Sequence, residues 1–316
     1  MIRQRISHLI LTAAMALAIA IPSAGFAQSD SAPDELFKLG NEAFTAGKVD
    51  EAIGHYKQCV EKRPKFKEAW YNLGIAYSTK KQHEKEIDAY KKAIDADGKY
   101  AKAMYNLAMA FEDRGDDDKA IDYYVKVVEL EPKAVDAYIN LGILYAKKGR
   151  LEKAVSEYKK AIEHDPEVPD AYFNMGIAYS KRAGLEEDKA TQKVLIEKEI
   201  EAYKKAVEKN NRYHKAWYNL AIAYNKLQKT DDEIGAYVKA IEIKPEYPQA
   251  LFNLAFAYQE KKDNEKALTF WKKYLTVAGE LPEEKQFIVT ARAQVQKLAP
   301  AKEADKEAAP KAEAKP

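Results

Sequence analysis

Apolar and polar positions along this chain follow a repeating pattern. Successive units begin at Pro33, Lys67, Ala101, Val135, Pro169, His214 and Pro248. Within each, the fourth, seventh, eighth and eleventh positions carry the apolar residues. They read Trp70, Leu73, Gly74, Tyr77 in the second unit and Tyr138, Leu141, Gly142, Tyr145 in the fourth. That spacing is one face of a helix. The eighth position is always Gly or Ala, which predicts close approach of another helix there. A second apolar stripe follows in each unit (Ala52, Tyr56, Cys59; Ala120, Tyr124, Val127; Ala154, Tyr158, Ala161) and predicts a second helix. Gly47, Gly115 and Gly149 fall where the first helix must end, in the left-handed cap that glycine adopts without strain. Pro64, Pro132, Pro166 and Pro245 fall after the second helix, which they stop. A helix pair of this kind cannot bury both faces alone, so the units are predicted to stack.

The unit boundaries are 33–66, 67–100, 101–134, 135–168, 169–213, 214–247 and 248–281, with a period of 34 residues broken only by the 45-residue fifth unit. Its extra residues lie within Gly184 to Lys198. Eleven residues make three turns at about 3.67 per turn, so the predicted outcome is a lengthened second helix from about Glu186 to Lys209, its first turns projecting from the array. Leu185, Val194 and Leu195 are the apolar residues expected to be exposed on that projection. Phe287, Ile288, Ala291, Val295 and Leu298 predict a cap helix within residues 282–298, covering the open end of the stack. The 299–316 tail contains only Ala, Lys, Glu, Asp and Pro and is expected to be disordered.

A 34-residue period, W-x-x-L-G-x-x-Y at Trp70, Leu73, Gly74 and Tyr77, an Ala and an aromatic on the second helix, and a closing Pro resemble tetratricopeptide repeats (TPR). The resemblance implies an all-α fold, a right-handed α-solenoid superhelix of seven helix pairs with a C-terminal cap helix. It implies a non-enzymatic scaffold for protein–protein interaction. The chain departs from the family pattern at Glu86, Glu199 and Glu233, which replace the small Ala at the start of the second helix.

The N-terminus changes the charge picture. Arg3 and Arg5 precede an uncharged stretch from Ile6 to Ile21, followed by Pro22 and the small residues around Gly25 and Ala27. This pattern reads as a secretory signal peptide over 1–27, with a short polar leader over 28–32. No Cys follows, so a lipid anchor is not expected, and the expected location is periplasmic or secreted. Removing residues 1–27 leaves 50 basic and 50 acidic side chains. That balance argues against nucleic acid as partner, and no membrane insertion is expected after cleavage. Cys59 is the single cysteine, so no intramolecular disulfide forms. It falls on the buried stripe and reads as core.

The composition offers little for catalysis. The histidines are scattered, no His or Cys pair has metal-ligand spacing, and no phosphate-cradling loop or nucleophile elbow is present. No enzyme activity, cofactor or metal is expected. What remains is the first-helix face that the core leaves uncovered. Its sixth position is Asn72, Asn106, Asn140, Asn174, Asn219 and Asn253 in six successive units. An asparagine amide both donates to and accepts from a peptide backbone, and in TPR relatives that bind peptides a similar ladder lines the concave surface. Beside it, the fifth position carries Tyr71, Tyr105, Ile139, Phe173, Tyr218 and Phe252. The expected site is therefore a peptide-binding groove formed by the asparagines with Tyr71, Tyr105, Phe173, Tyr218 and Phe252. The alternative for the ladder is hydrogen bonding to the neighbouring unit. The carboxylate clamp of some relatives is incomplete: Asn41, Asn72 and Lys102 match it, but Phe37 and Asn106 stand where cations are needed. The partner is expected to be a protein or peptide. Self-association into a structural array, or recruitment of an enzyme, are the alternatives.

Overall fold

A computed structural model describes residues 32–279 and 281–299. The expected signal peptide, leader and tail lie outside these residues, apart from their flanking Ala32 and Ala299. Among the described residues the chain forms fifteen α-helices and no strand. They pair as α1 (Pro33–Thr45) with α2 (Val49–Lys62), α3 (Lys67–Thr79) with α4 (His83–Ala96), α5 (Ala101–Asp113) with α6 (Asp117–Leu130), and α7 (Val135–Lys147) with α8 (Leu151–His164). Then come α9 (Pro169–Leu185) with α10 (Lys189–Lys209), α11 (His214–Lys226) with α12 (Thr230–Ile243), and α13 (Pro248–Glu260) with α14 (Asn264–Ala278). A 3-10 turn at Pro282–Glu284 leads into α15 (Lys285–Leu298), which caps α14.

Each helix packs on its neighbours in sequence, so the array is one-dimensional. The first helices of adjacent units also touch, α1 with α3 and α7 with α9, whereas no two second helices make comparable contact. The stack therefore curves with its first helices inside.

Close approach at the eighth position has a specific cause. A Cβ added at Gly40, Gly74, Gly142 or Gly176 would lie 2.4–2.5 Å from the ring of Tyr56, Tyr90, Tyr158 or Tyr203. Each tyrosine is the central aromatic of its second helix and is almost fully buried. Cys59 is wholly buried on the same stripe. Its Sγ lies 3.1 Å from the Pro33 carbonyl oxygen, and burial pushes its pKa up to about 11.

The turn after the first helix adopts positive φ at Gly47, Gly115 and Gly149, and equally at Lys81, Gln228 and Lys262 in the units that lack glycine. Ion pairs then link units across most junctions. Lys80 meets Asp50 at 2.9 Å, Arg114 meets Glu84 at 2.7 Å, Lys148 meets Asp118 at 2.7 Å, Arg182 meets Glu152 at 3.0 Å and Lys261 meets Asp231 at 2.6 Å. They lie at the surface and are individually weak.

The fifth unit differs from the expectation in two respects. Its insertion lengthens both helices: α9 has 17 residues where other first helices have 13, and α10 has 21 where α8 has 14. The additions are close to one turn and two turns, so both buried faces keep their register. The turn falls at 186–188, and α10 begins at Lys189 rather than Glu186. Asp188 caps α10 by accepting a hydrogen bond from the Thr191 amide at 2.7 Å. Leu195 is buried, because two extended helices cover one another: Ala183, Leu195 and Ile196 join the core there. Leu185 (76% exposed) and Val194 (47% exposed) stand free at the projecting end.

Candidate peptide-binding face

The first helices hold the asparagine ladder on the inner side of the curve, every member half-buried. The structure brings it together with the fifth-position residues across unit boundaries. Asn106 Nδ2 donates to the hydroxyls of Tyr71 (3.2 Å) and Tyr90 (3.4 Å), both of the preceding unit. Asn140 does the same with Tyr105 (3.0 Å) and Tyr124 (3.1 Å), and Asn253 with Tyr218 (3.3 Å) and Tyr237 (3.1 Å). Asn72 donates to Asn41 Oδ1 at 2.8 Å, which also accepts from the Tyr56 hydroxyl at 2.7 Å. The fragment of carboxylate clamp at Asn41 and Asn72 is thus occupied internally.

The pattern breaks where the preceding unit lacks a tyrosine at its fifth position. Ile139 has no hydroxyl to offer, and Asn174 Nδ2 turns back to the Asp170 carbonyl oxygen of its own helix at 2.9 Å. Phe173 likewise offers no hydroxyl to Asn219, which pairs with Tyr203. The fifth-position rings pack against the second helix and the closing residues of their own unit, and Phe252 also against the cap helix. Tyr71 packs on Tyr90 and Tyr100, Phe173 on Tyr203 and Tyr213, and Phe252 on Trp271, Tyr274 and Phe287, with centroids 4.8–5.9 Å apart. Ile139 is buried. Burial drives the tyrosines upward in pKa, Tyr105 to about 12. They stay neutral hydroxyls, able to accept from the asparagines.

Four of these six asparagines, Asn72, Asn106, Asn140 and Asn253, therefore anchor neighbouring units through their nitrogen. The oxygens of Asn106, Asn140 and Asn253 enter no hydrogen bond among the described residues. At the last junction the face opens into a cavity of about 260 Å³ lined by Ile222, Asn225, Glu233, Tyr237, Asn253, Phe256, Ala257 and Glu260. The sixth, ninth and thirteenth positions of α13 (Asn253, Phe256, Glu260) thus share one accessible surface.

Three positions singled out only as departures from pattern belong to this face. Glu86, Glu199 and Glu233 are all buried, at 4%, 1% and 3% exposure. Each sits opposite the thirteenth position of the next unit's first helix. Glu199 is held there by Lys226, whose Nζ lies 2.9 Å from both carboxylate oxygens and 2.8 Å from Ser180 Oγ. Glu86 has the His83 ring at 3.2 Å and Ser78. Glu233 accepts from Asn225 Nδ2 at 3.1 Å, with Glu260 rather than a lysine opposite. Burial raises the pKa of all three carboxyls.

Among the described residues no group of His, Cys, Asp and Glu is arranged to hold a metal ion, and no helix is long and apolar enough to cross a membrane.

Comparison with known proteins agrees with the geometry. Three repeat models match in succession, each described as a TPR or tetratricopeptide repeat: residues 37–101, then 110–149 and 144–182, then 202–234 and 236–269. Together they span most of the stacked region. The chain is a tetratricopeptide repeat protein. Solved TPR structures share the fold. The C-terminal part of a TPR protein from Cytophaga hutchinsonii aligns over 79% of this chain and 98% of its own, with TM-score 0.64 and 17% identity. MamA aligns over 56% and 97%, with TM-score 0.50 and 29% identity. YrrB, described as a TPR protein with an unusual peptide-binding site, aligns over 62% and 95%, with TM-score 0.50 and 22% identity. No curated protein matches the sequence. As a TPR protein, the chain is an interaction scaffold.

Proposed function

We propose that this TPR protein is exported and binds an extended segment of a partner protein along its inner face, in assembly of envelope components. The carrying observation is the row of half-buried asparagines, in which Asn106, Asn140 and Asn253 tie their nitrogens to the preceding unit and leave their oxygens without a hydrogen bond among the described residues. Such a row is an array of acceptors for backbone N–H groups, indifferent to partner sequence. A neutral hydrogen bond contributes about 0.5–1.5 kcal/mol net, and ordering an extended peptide costs about 2–5 kcal/mol or more. The row therefore supports weak, sequence-tolerant holding unless side chains of the partner are anchored as well. The peptide-binding site described for YrrB is an analogous use of the fold.

The test is capture from envelope extract by the chain from residue 28, as wild type and as Asn140→Ala/Asn174→Ala. The variant is expected to retain its helicity and lose bound protein several-fold. Equal capture by two equally helical proteins refutes the reading.

One observation favours self-association as a second reading: Leu185 and Val194 are exposed together at the tip of the α9–α10 projection. Solution mass distinguishes it. A wild-type oligomer that Leu185→Asp/Val194→Asp turns into a monomer supports it, and a wild-type monomer at high concentration removes it.

A further inference from the structure

Three junctions in this array carry the same constellation. A glutamate at the twentieth position of a regular unit, or its equivalent in the longer fifth unit, is buried under a polar residue from the twelfth position. The thirteenth position of the next unit lies across from it. Between units five and six the set is Glu199, Ser180 and Lys226, and the lysine ammonium closes it by contacting both carboxylate oxygens and the serine hydroxyl at 2.8–2.9 Å. Between units six and seven the set is Glu233, Asn225 and Glu260. Here the thirteenth position carries a second carboxylate, and a cavity of about 260 Å³ stands where the lysine would reach.

The cavity is built for one kind of group. Its floor is Glu233, 3% exposed, with one carboxylate oxygen tied to Asn225 at 3.1 Å. Glu260 stands exposed at the mouth. Ile222, Tyr237, Phe256 and Ala257 give apolar walls, and Asn253 of the ladder opens onto it. A buried carboxylate beside a second acid is costly unless a cation neutralises it. Apolar walls leading to a carboxylate suit an alkyl chain ending in a positive charge, the form of a lysine side chain. The five-six junction displays the filled state within the same molecule, with the chain's own lysine as occupant.

We infer that the junction between units six and seven is a receptor for a lysine side chain of a bound polypeptide, its ammonium entering between Glu233 and Glu260. The inference rests on the inner-face reading above and supplies the side-chain anchor that weak backbone holding lacks. The ladder oxygens receive the backbone while the pocket receives one ammonium. The absence of a lysine at position 260 is what leaves the pocket free.

The experiment uses the chain from residue 28 and three probes measured by calorimetry and by side-chain amide NMR of Asn225 and Asn253. The probes are an end-blocked, alanine-rich extended peptide with one central lysine, the same peptide with norleucine in its place, and cadaverine. The lysine peptide is expected to bind about tenfold or more tighter than the norleucine peptide, as one charge-assisted hydrogen bond implies, and to shift both amides. Glu233→Gln is expected to erase that preference. Glu260→Lys is expected to erase it too, while raising Tm, because it places a lysine where Lys226 stands one junction earlier. Equal binding of lysine and norleucine peptides overturns the ammonium pocket but leaves the groove intact. Absence of binding by either peptide overturns both. Cadaverine binding as tightly as the lysine peptide overturns the polypeptide as occupant. A Glu260→Lys protein that folds and keeps the lysine preference also overturns the pocket.

Discussion

The junction between units five and six and the junction between units six and seven share one backbone plan and differ in one decisive side chain. At the first, Lys226 neutralises the buried Glu199. At the second, Glu260 faces the buried Glu233 and adds to the burial that raises its pKa. The two junctions share the helix-pair plan although the helices of the fifth unit are longer, so the contrast lies in the side chains at the twelfth and thirteenth positions. It shows that the inner face is built from junction-specific polar sets laid over a uniform apolar stack. On the reading proposed above, a partner meets the array where such a set is left incomplete.

The comparison can be broken most forcefully at Lys226. Lys226→Met removes the charge and keeps the stem, leaving Glu199 buried without its cation. A loss of about 3 kcal/mol is expected on chemical denaturation, whereas Glu260→Met changes stability by less than about 0.5 kcal/mol. Similar losses in the two variants would mean that the junctions are not distinct.

The ladder offers the next contrast. Asn140 bridges two tyrosine hydroxyls of the preceding unit, and Asn174 Nδ2 bonds to the Asp170 carbonyl of its own helix. Asn140→Ala is expected to cost about 1–2 kcal/mol. Asn174→Ala is expected to cost under about 0.5 kcal/mol, and Ile139→Tyr should draw Asn174 into the pinned arrangement, seen as a changed side-chain amide shift.

Titration separates the junctions in a third way. The carboxyl of Glu233 is held above its ordinary value of 4.5, first by burial and then by Glu260, with Asn225 pulling the other way. The folded state thus holds a proton that the unfolded chain has already released. Stability falls as pH rises from the ordinary carboxylate value through the raised one. Glu233→Gln keeps a hydrogen-bonding side chain and removes that fall. The variant is expected to be about 1 kcal/mol more stable than wild type at pH 7 and no more stable at pH 4, measured by thermal melts across that range.

The smallest effect lies in the turns. Lys81, Gln228 and Lys262 hold the positive φ that glycine holds at 47, 115 and 149. Replacing any one of them by Gly is expected to stabilise by about 0.5 kcal/mol, the relief of left-handed strain less the added freedom of the unfolded chain.

The stack was legible in the sequence because buried positions recur with the unit. Leu73, Gly74 and Tyr90 announce a close helix pair wherever they occur, and the first helices start where the units start. The division of the fifth-unit insertion was not legible. Adding near-whole turns to either helix preserves the apolar stripe equally well, so periodicity alone leaves the position of the turn open. Leu195 was misplaced for the same reason: two extended helices shield a residue that one would have exposed. The candidate site was half legible. Asparagines and aromatics at the fifth and sixth positions read as a groove lining, with bonding to the neighbouring unit as the alternative, and the structure shows that bonding between Tyr105 and Asn140, a full unit apart. The buried glutamates were visible as departures at the twentieth position. Their meaning appears only once the facing thirteenth position of the next helix is known.

The central claim is that a partner lies along the first helices. Hydroxyl-radical footprinting of the chain with and without captured partner tests it directly. Met109 and Phe256 sit on the inner face, and Tyr123 and Phe270 on the second helices; all four are partly exposed. The account predicts that bound partner protects Met109 and Phe256 and leaves Tyr123 and Phe270 as reactive as before. Protection confined to Tyr123 and Phe270 would contradict it.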